Sequence, residues 1–180
     1  RAVNRSSGML IVTGPTGSGK TTTINALTRT VNAIEVSIQS VEKPVEIPEG
    51  LWVQHNARGS AEAEEWLRWF KALMRCDPDK MFFGEIRDAE TTAVAMDGAN
   101  TGHTVMTTMH TRSTAGAITR IRNLRRSKTG EGLDMDMVAS NLLGVLATRL
   151  VRKLCLHCRE EERRQHIIKA VHDLHPDLAE

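Results

Sequence analysis

Tyrosine is absent from this 180-residue chain, and aromatic residues make up only 3% of it. Such scarcity of stacking rings argues against a base-stacking platform for single-stranded nucleic acid. Cysteine occurs only three times, too few for a disulfide framework in a domain of this size, which favours a reducing cytoplasm. No apolar run approaches the ~18 residues of a membrane-spanning helix. The signal-peptide pattern of basic start, apolar stretch and small-residue cleavage site is missing as well. Charge of one sign is also lacking. A formal net charge of +2 is too balanced to mark a nucleic-acid surface by itself, and a nucleic-acid partner is not expected. The length suffices for one full core, hence one domain. The first residue is Arg1, and a strand-like run follows almost at once, so a further N-terminal part is expected to precede it.

What is present begins with Gly14-Pro15-Thr16-Gly17-Ser18-Gly19-Lys20-Thr21. This fits G-x-x-x-x-G-K-[ST], the phosphate-binding P-loop. The glycines let successive backbone N–H groups turn inward as a nest, and a following helix adds its positive partial charge. Lys20 would reach the β- and γ-phosphates, the Thr21 hydroxyl would ligate Mg²⁺, and Thr22 continues the phosphate-binding turn. A glycine-rich turn without a ligand is the alternative. The apolar Met9-Leu10-Ile11-Val12 before the loop and helix-like residues after it favour a nucleoside triphosphate.

Strand-like and helix-like stretches then alternate. Strands are expected at Met9–Thr13, Ala33–Val41, Leu51–His55, Lys80–Glu85 and His103–Thr108. Helices are expected over Thr21–Val31, from an N-cap at Ser60 through Arg75, from Asp88 to about Ala99, from Ser113 to about Leu124, over Met135–Leu154 and over Glu160–Leu174. Asp77-Pro78 breaks the helix before the buried-type strand. Strands separated by helices of this length predict parallel βαβ units, an α/β sheet with helices on both faces. Residues 1–132 are expected as the core and 133–180 as a helical C-terminal part of the same domain.

Acids and histidines follow the P-loop in a particular order. Glu85 ends a buried strand, where α/β proteins hold ligands, and is placed to order Mg²⁺ or water beside a γ-phosphate. It also reads as an acid that merely pairs with Arg87 or caps a helix. Glu42, in Val41-Glu42-Lys43-Pro44-Val45-Glu46, sits where a carboxylate could accept a proton from attacking water, although alone it reads as a solvated loop acid. His103 and His110 flank the next strand; individually each would be structural, but two at opposite ends of one strand, with Thr107 and Thr108 between, could report a γ-phosphate to the following helix. No guanine-reading N-K-x-D occurs, which argues against a GTPase.

The succession resembles the motor domain of the bacterial ATPases that drive type II secretion, type IV pilus assembly and retraction, and type IV secretion and conjugation. The likeness runs from about Gly8 to Cys158. It rests on a Walker A at Gly14–Thr21, an Asp box at Val41–Glu46, a Walker B at Asp77–Asp88 and a His box at Gly102–His110. It implies a RecA-like fold, ATP and Mg²⁺ as ligands, and hexameric rings acting at the cytoplasmic face of the inner membrane on a secretion or pilus platform protein. It further implies that Glu42 activates water, that Glu85 is the Walker B acid, that His103 and His110 form the His-box pair, and that Arg87 reaches the nucleotide or a neighbouring subunit. The chain departs from the pattern at Lys43, where an Asp is usual, at Lys71, where an arginine is common, and at Arg112. With the N-terminal domain of such ATPases expected outside this chain, turnover by the chain alone is expected to be weak.

Smaller features carry less. Cys155-Leu156-His157-Cys158 is a C-x-x-C, but only Cys76 remains elsewhere, and even with His157 and His166 the set is incomplete, so structural zinc is not expected. Arg120, Arg122, Arg125, Arg126 and Lys128 form a basic cluster read as a subunit interface, facing acids such as Glu62, Glu64 and Glu65, or else as a solvated face. Trp52, Trp66 and Trp69 read as core or interface residues. The competing functions are a small-molecule kinase, a nucleotide-binding scaffold with little or no turnover, and a nucleic-acid motor.

Overall fold

The computed structural model describes residues 5–57, 63–155, 157, 158 and 169. Its sheet is built from β1 (Gly8–Thr13), β2 (Ile38–Glu42), β3 (Val53–Asn56), β4 (Lys80–Glu85), β5 (Thr104–Met109) and β6 (Leu142–Ala147). The six strands run in the order β3-β2-β4-β5-β1-β6, and every neighbouring pair is parallel. The helices are α1 (Lys20–Thr28), α2 (Ala63–Met74), α3 (Ala89–Asn100), α4 (Thr114–Asn123) and α5 (Met135–Asn141).

Central strands buried on both faces read as nearly continuous apolar runs, and β1 and β5 are buried along their whole length. Strand alternation divides their side chains between two clusters. Met9, Ile11, Met81, Phe83, Val105 and Met109 pack with Phe70 and Leu73 of α2 and with Ala95, Met96 and Ala99 of α3. Leu10, Val12, Phe82 and Met106 pack on the other face with Ile24 of α1. The expected sheet with helices on both faces is therefore present. The α2–α3 contact depends on one glycine: a Cβ at Gly98 would lie 2.7 Å from the Phe70 ring and 3.2 Å from Met81.

Asp88 and Ser113 cap α3 and α4 as expected, accepting from the Thr91 and Gly116 amides. Three expectations need correction. The helix expected over Met135–Leu154 stops at Asn141, and Leu142–Ala147 instead forms β6 beside β1. The apolar run LLGVLA suits either structure by periodicity, and the open edge of β1 supplies hydrogen-bond partners that favour the strand. The expected strand Ala33–Val41 begins only at Ile38, because the Ser37 amide is taken by the Asp79 carboxylate at 2.7 Å. Glu42 is thereby the last residue of β2. The compact unit carrying the sheet extends through Leu150, so the segment after residue 132 contributes a strand to it and is not purely helical. Ser60, and the helix expected over Glu160–Leu174 apart from Lys169, lie outside the described residues.

Candidate functional site

All strands being parallel, their carboxyl ends share one edge of the sheet, and the loops leaving β1, β2, β4 and β5 converge there. They enclose a cleft of about 610 Å³ lined by residues 16–22 and by Glu42, Lys43, Glu46, Trp66, Glu85, Arg87 and His110, among others.

The loop after β1 turns tightly enough to aim its amides into the cleft. Gly14 has φ 156°, and a Cβ there would come within 2.4 Å of Ser18 Oγ and 2.5 Å of the Thr148 carbonyl oxygen, so no larger residue fits. Gly19, at φ 84°, begins α1 without any side-chain cap, which leaves the first amides of the helix to a ligand or water. Lys20 Nζ donates to the Gly14 and Pro15 carbonyls at 3.1 and 3.0 Å. Burial lowers its pKa, and the nearby charges of Glu85 and Glu46 oppose that shift. Residues 16–22 line the cleft, whereas Gly14 and Pro15 stand behind it as acceptors for Lys20. Thr148, just past β6, backs the loop: its amide donates to the Thr13 carbonyl at 2.8 Å and its hydroxyl lies 3.1 Å from Ser18 Oγ.

Glu42 is 3% exposed and is not a solvated loop acid. Its Oε1 accepts from Ser40 Oγ at 2.7 Å and from Gln54 Nε2 at 3.0 Å. Burial raises the carboxyl pKa and the charge of Glu46 adds to it, while the hydrogen bonds from Ser40, Gln54 and the Glu46 amide oppose the shift. The outcome is a carboxylate more basic than usual and held in one orientation, the property general-base work requires.

Glu85 is positioned by an irregularity in the sheet. The β4–β5 register shifts between Phe83 and Glu85, so that Glu85 pairs with Thr108, and Thr108 Oγ1 donates to the stranded Gly84 carbonyl at 2.6 Å. Such bulges re-aim a side chain at a strand end. Trp66 packs edge-on against Phe83, with ring centroids 4.9 Å apart, and borders Gly84. The Glu85 carboxylate meets Arg87 Nη2 at 2.7 Å and His110 Nε2 at 3.3 Å. Arg87 is held above its ordinary pKa by that hydrogen bond and by the charge of Glu85. The pairing with Arg87 weighed in the sequence is thus present, and within the cleft.

The two histidines do not share a site. His103 precedes β5, and its Nδ1 lies 3.2 Å from the Gly98 carbonyl oxygen, while its own carbonyl accepts from Gly8 at the start of β1. It therefore sits at the amino edge of the sheet, the length of a six-residue strand from His110, or roughly 20 Å at ~3.3 Å per residue. Of the two, only His110 is among the residues lining the cleft.

Several participants carried no usable sequence signal. Gln54 reaches Glu42 only because β3 pairs with β2. Arg120, read as part of a basic surface, donates to the His110 and Arg87 carbonyls at 3.2 and 3.4 Å. Arg125 likewise donates to the Arg122 and Leu124 carbonyls, each at 2.9 Å. Two members of the basic cluster are therefore engaged with main chain. Gly84 inside an apolar strand run was the one legible hint of the bulge.

A parallel sheet with a P-loop between its β1 and α1, and acids at the ends of adjacent strands, defines a RecA-like P-loop NTPase domain. A family model described as type II/IV secretion system protein matches residues 1–176, and the chain belongs to that family. It is 43% identical over 162 residues to the type II secretion system ATPase E of Vibrio cholerae, covering 89% of this chain and 30% of that protein. It is 38% identical over 173 residues to the type IV pilus assembly ATPase TfpB of Acinetobacter baylyi, covering 93% and 28%. The solved structure of the pilus retraction motor PilT with bound ADP is similar at a TM-score of 0.69 and 30% identity, over 83% of this chain and 44% of that one. The chain thus spans about a third of the length of the curated relatives it matches.

Proposed function

We propose that this chain is the motor domain of a type II secretion, type IV pilus or conjugative machine, and that it hydrolyses ATP. One observation carries the reading: Lys20 on the P-loop, the buried and more basic Glu42, and the Glu85–His110–Arg87 cluster line a single cleft. The P-loop amides and Lys20 grip the phosphates, which draws the Lys20 ammonium away from the Gly14 and Pro15 carbonyls. Glu42 takes the proton from the attacking water, with its carboxylate oriented by Ser40 and Gln54. Arg87 and His110 hold Glu85 beside the reacting group and offset charge developing on the phosphoryl oxygens.

The donor set fits a hard divalent cation, because the Thr21 hydroxyl and the Glu85 carboxylate offer only oxygen. Among the described residues no group of three or more His, Cys, Asp or Glu could hold a metal; with two protein oxygens as ligands, the phosphates would supply the rest of the coordination of Mg²⁺. Bound there by Thr21 and Glu85, it would neutralise charge between the transferred group and its leaving oxygen.

By similarity to its relatives, the full protein forms a hexameric ring at the cytoplasmic face of the bacterial inner membrane. There it acts on a secretion or pilus platform protein, and nucleotide turnover closes this domain against its N-terminal partner domain about the bound phosphates. Among the described residues no helix is long and apolar enough to cross a membrane. The competing reading, a nucleotide-binding scaffold, draws support from Lys43 standing in the acidic box. Phosphate release and ATP binding by the full-length protein, which carries the N-terminal domain, and by its Lys20→Ala variant separate the two. A motor loses both in the variant. ATP binding with no release above the variant's would establish the scaffold.

A further inference from the structure

Glu85 is gripped from two loops. Arg87 lies in the loop that leaves β4 for α3, and His110 lies in the loop that leaves β5 for α4. These loops are separated in sequence; the strand ends they leave are tied where the Ile86 amide donates to the Thr108 carbonyl at 3.1 Å and Thr108 Oγ1 donates to the Gly84 carbonyl. Beyond that point no sheet hydrogen bond among the described residues joins the two loops.

Arg120 supplies the missing constraint. It sits in the last turn of α4, where a cation would ordinarily interact with its own helix terminus. Its guanidinium turns away instead and donates from Nη1 to the carbonyl of His110 and from Nη2 to the carbonyl of Arg87. The acceptors are the main-chain oxygens of the very two residues whose side chains meet Glu85. A circuit therefore closes through Glu85, Arg87, Arg120 and His110, and its only long-range members are side chains. A planar, rigid fork is suited to fixing two acceptors at a set separation, which a flexible ammonium is not.

We propose that Arg120 is a positioning residue for the acid of the cleft: by spacing the β4 and β5 exit loops it makes Glu85 meet Arg87 and His110 together. Arg120 is half-buried and its two acceptors are exposed carbonyls. Removing it leaves those carbonyls to water, so the variant folds with nearly the wild-type melting temperature. The consequence for turnover rests on the hydrolase reading above, whereas the consequence for the cluster does not.

The test uses both. In the nucleotide-free protein, long-range ¹H–¹⁵N spectra of the histidine rings report the His110 Nε2 hydrogen bond to Glu85, assigned by loss of the signal in His110→Ala. Arg120→Ala is expected to move the His110 ring signals towards those of a free imidazole while the His103 signals stay in place. Unchanged His110 signals would overturn the proposal. So would an equal shift at His103 with a lowered melting temperature, since that marks a general structural role. In phosphate release, Arg120→Ala is expected to lower kcat roughly ten- to a hundredfold with little change in KM, since orientation and not binding is lost. Arg120→Lys, able to reach one carbonyl at a time, recovers part of it. If the full-length wild-type protein releases no phosphate above its Lys20→Ala variant, the hydrolase reading fails, and the ring spectra still decide the role of Arg120.

Discussion

Replacing Glu42 by Gln tests the site most sharply, because the structure predicts two effects of opposite sign. The side-chain hydrogen bonds from Ser40 and Gln54 are both accepted by one oxygen, Oε1, and the Glu46 amide interacts with the carboxylate as well. A glutamine carbonyl can accept the same pair, so the exchange removes charge and basicity with little change in shape. Burial raises the pKa of Glu42 in the folded chain. The sign follows from linkage: a carboxyl whose pKa is higher folded than unfolded is destabilising when ionised. Stability is greatest below the ordinary carboxylate value and falls as pH rises through the window between that value and the raised folded one. At neutral pH the ionised wild type carries a penalty that the uncharged Gln variant lacks. Glu42→Gln should therefore melt higher at pH 7, by about 2–4 °C for each kcal/mol relieved in a chain of this size. The gain should shrink on acidification through that window. Turnover should move the other way, since loss of a general base costs about 10²–10⁴-fold, or about 3–5 kcal/mol on the barrier. Differential scanning fluorimetry across pH and a phosphate-release assay on the same preparations measure both. A variant that melts lower at pH 7 and hydrolyses ATP normally would refute the assignment of Glu42 as a strained, buried base.

The remaining expectations are simpler. His110→Ala should depress phosphate release strongly, whereas His103→Ala should spare it and cost only stability, because His103 sits at the far edge of the sheet; equal losses of activity would restore the pair. Gly98→Ala should lower stability by about 1–3 kcal/mol, since the added methyl meets the buried Phe70 ring at 2.7 Å and overpacking outweighs the gain in helix propensity. Chemical denaturation with an unchanged m-value measures it, and a neutral result would mean that α2 and α3 can separate at no cost.

Much of the molecule was legible in its residues because local chemistry decided it. The P-loop is one such part: glycines at the required places, an apolar strand before and a helix after, all within residues 8–28. The caps at Asp88 and Ser113, the proline break after Asp77 and the alternation of strand and helix are others, each set by neighbours a few positions away. Glu42 and Glu85 were found as acids at strand ends for the same reason.

What tertiary structure decided was everything that depends on an edge, a register or a second loop. The run Leu142–Ala147 could satisfy its backbone as helix or strand, and only the unpaired side of β1 settled it. His110 meets Glu85 only because β4 and β5 pair and the register shifts at the end of β4. The same geometry brings Gln54 onto Glu42 and Arg120 across the two exit loops, contacts that join residues 12 and 33 positions apart. Sequence determined which groups would carry charge and phosphate affinity. The pairing of parallel strands, which aligns their carboxyl ends whatever the length of chain between them, determined which of those groups meet.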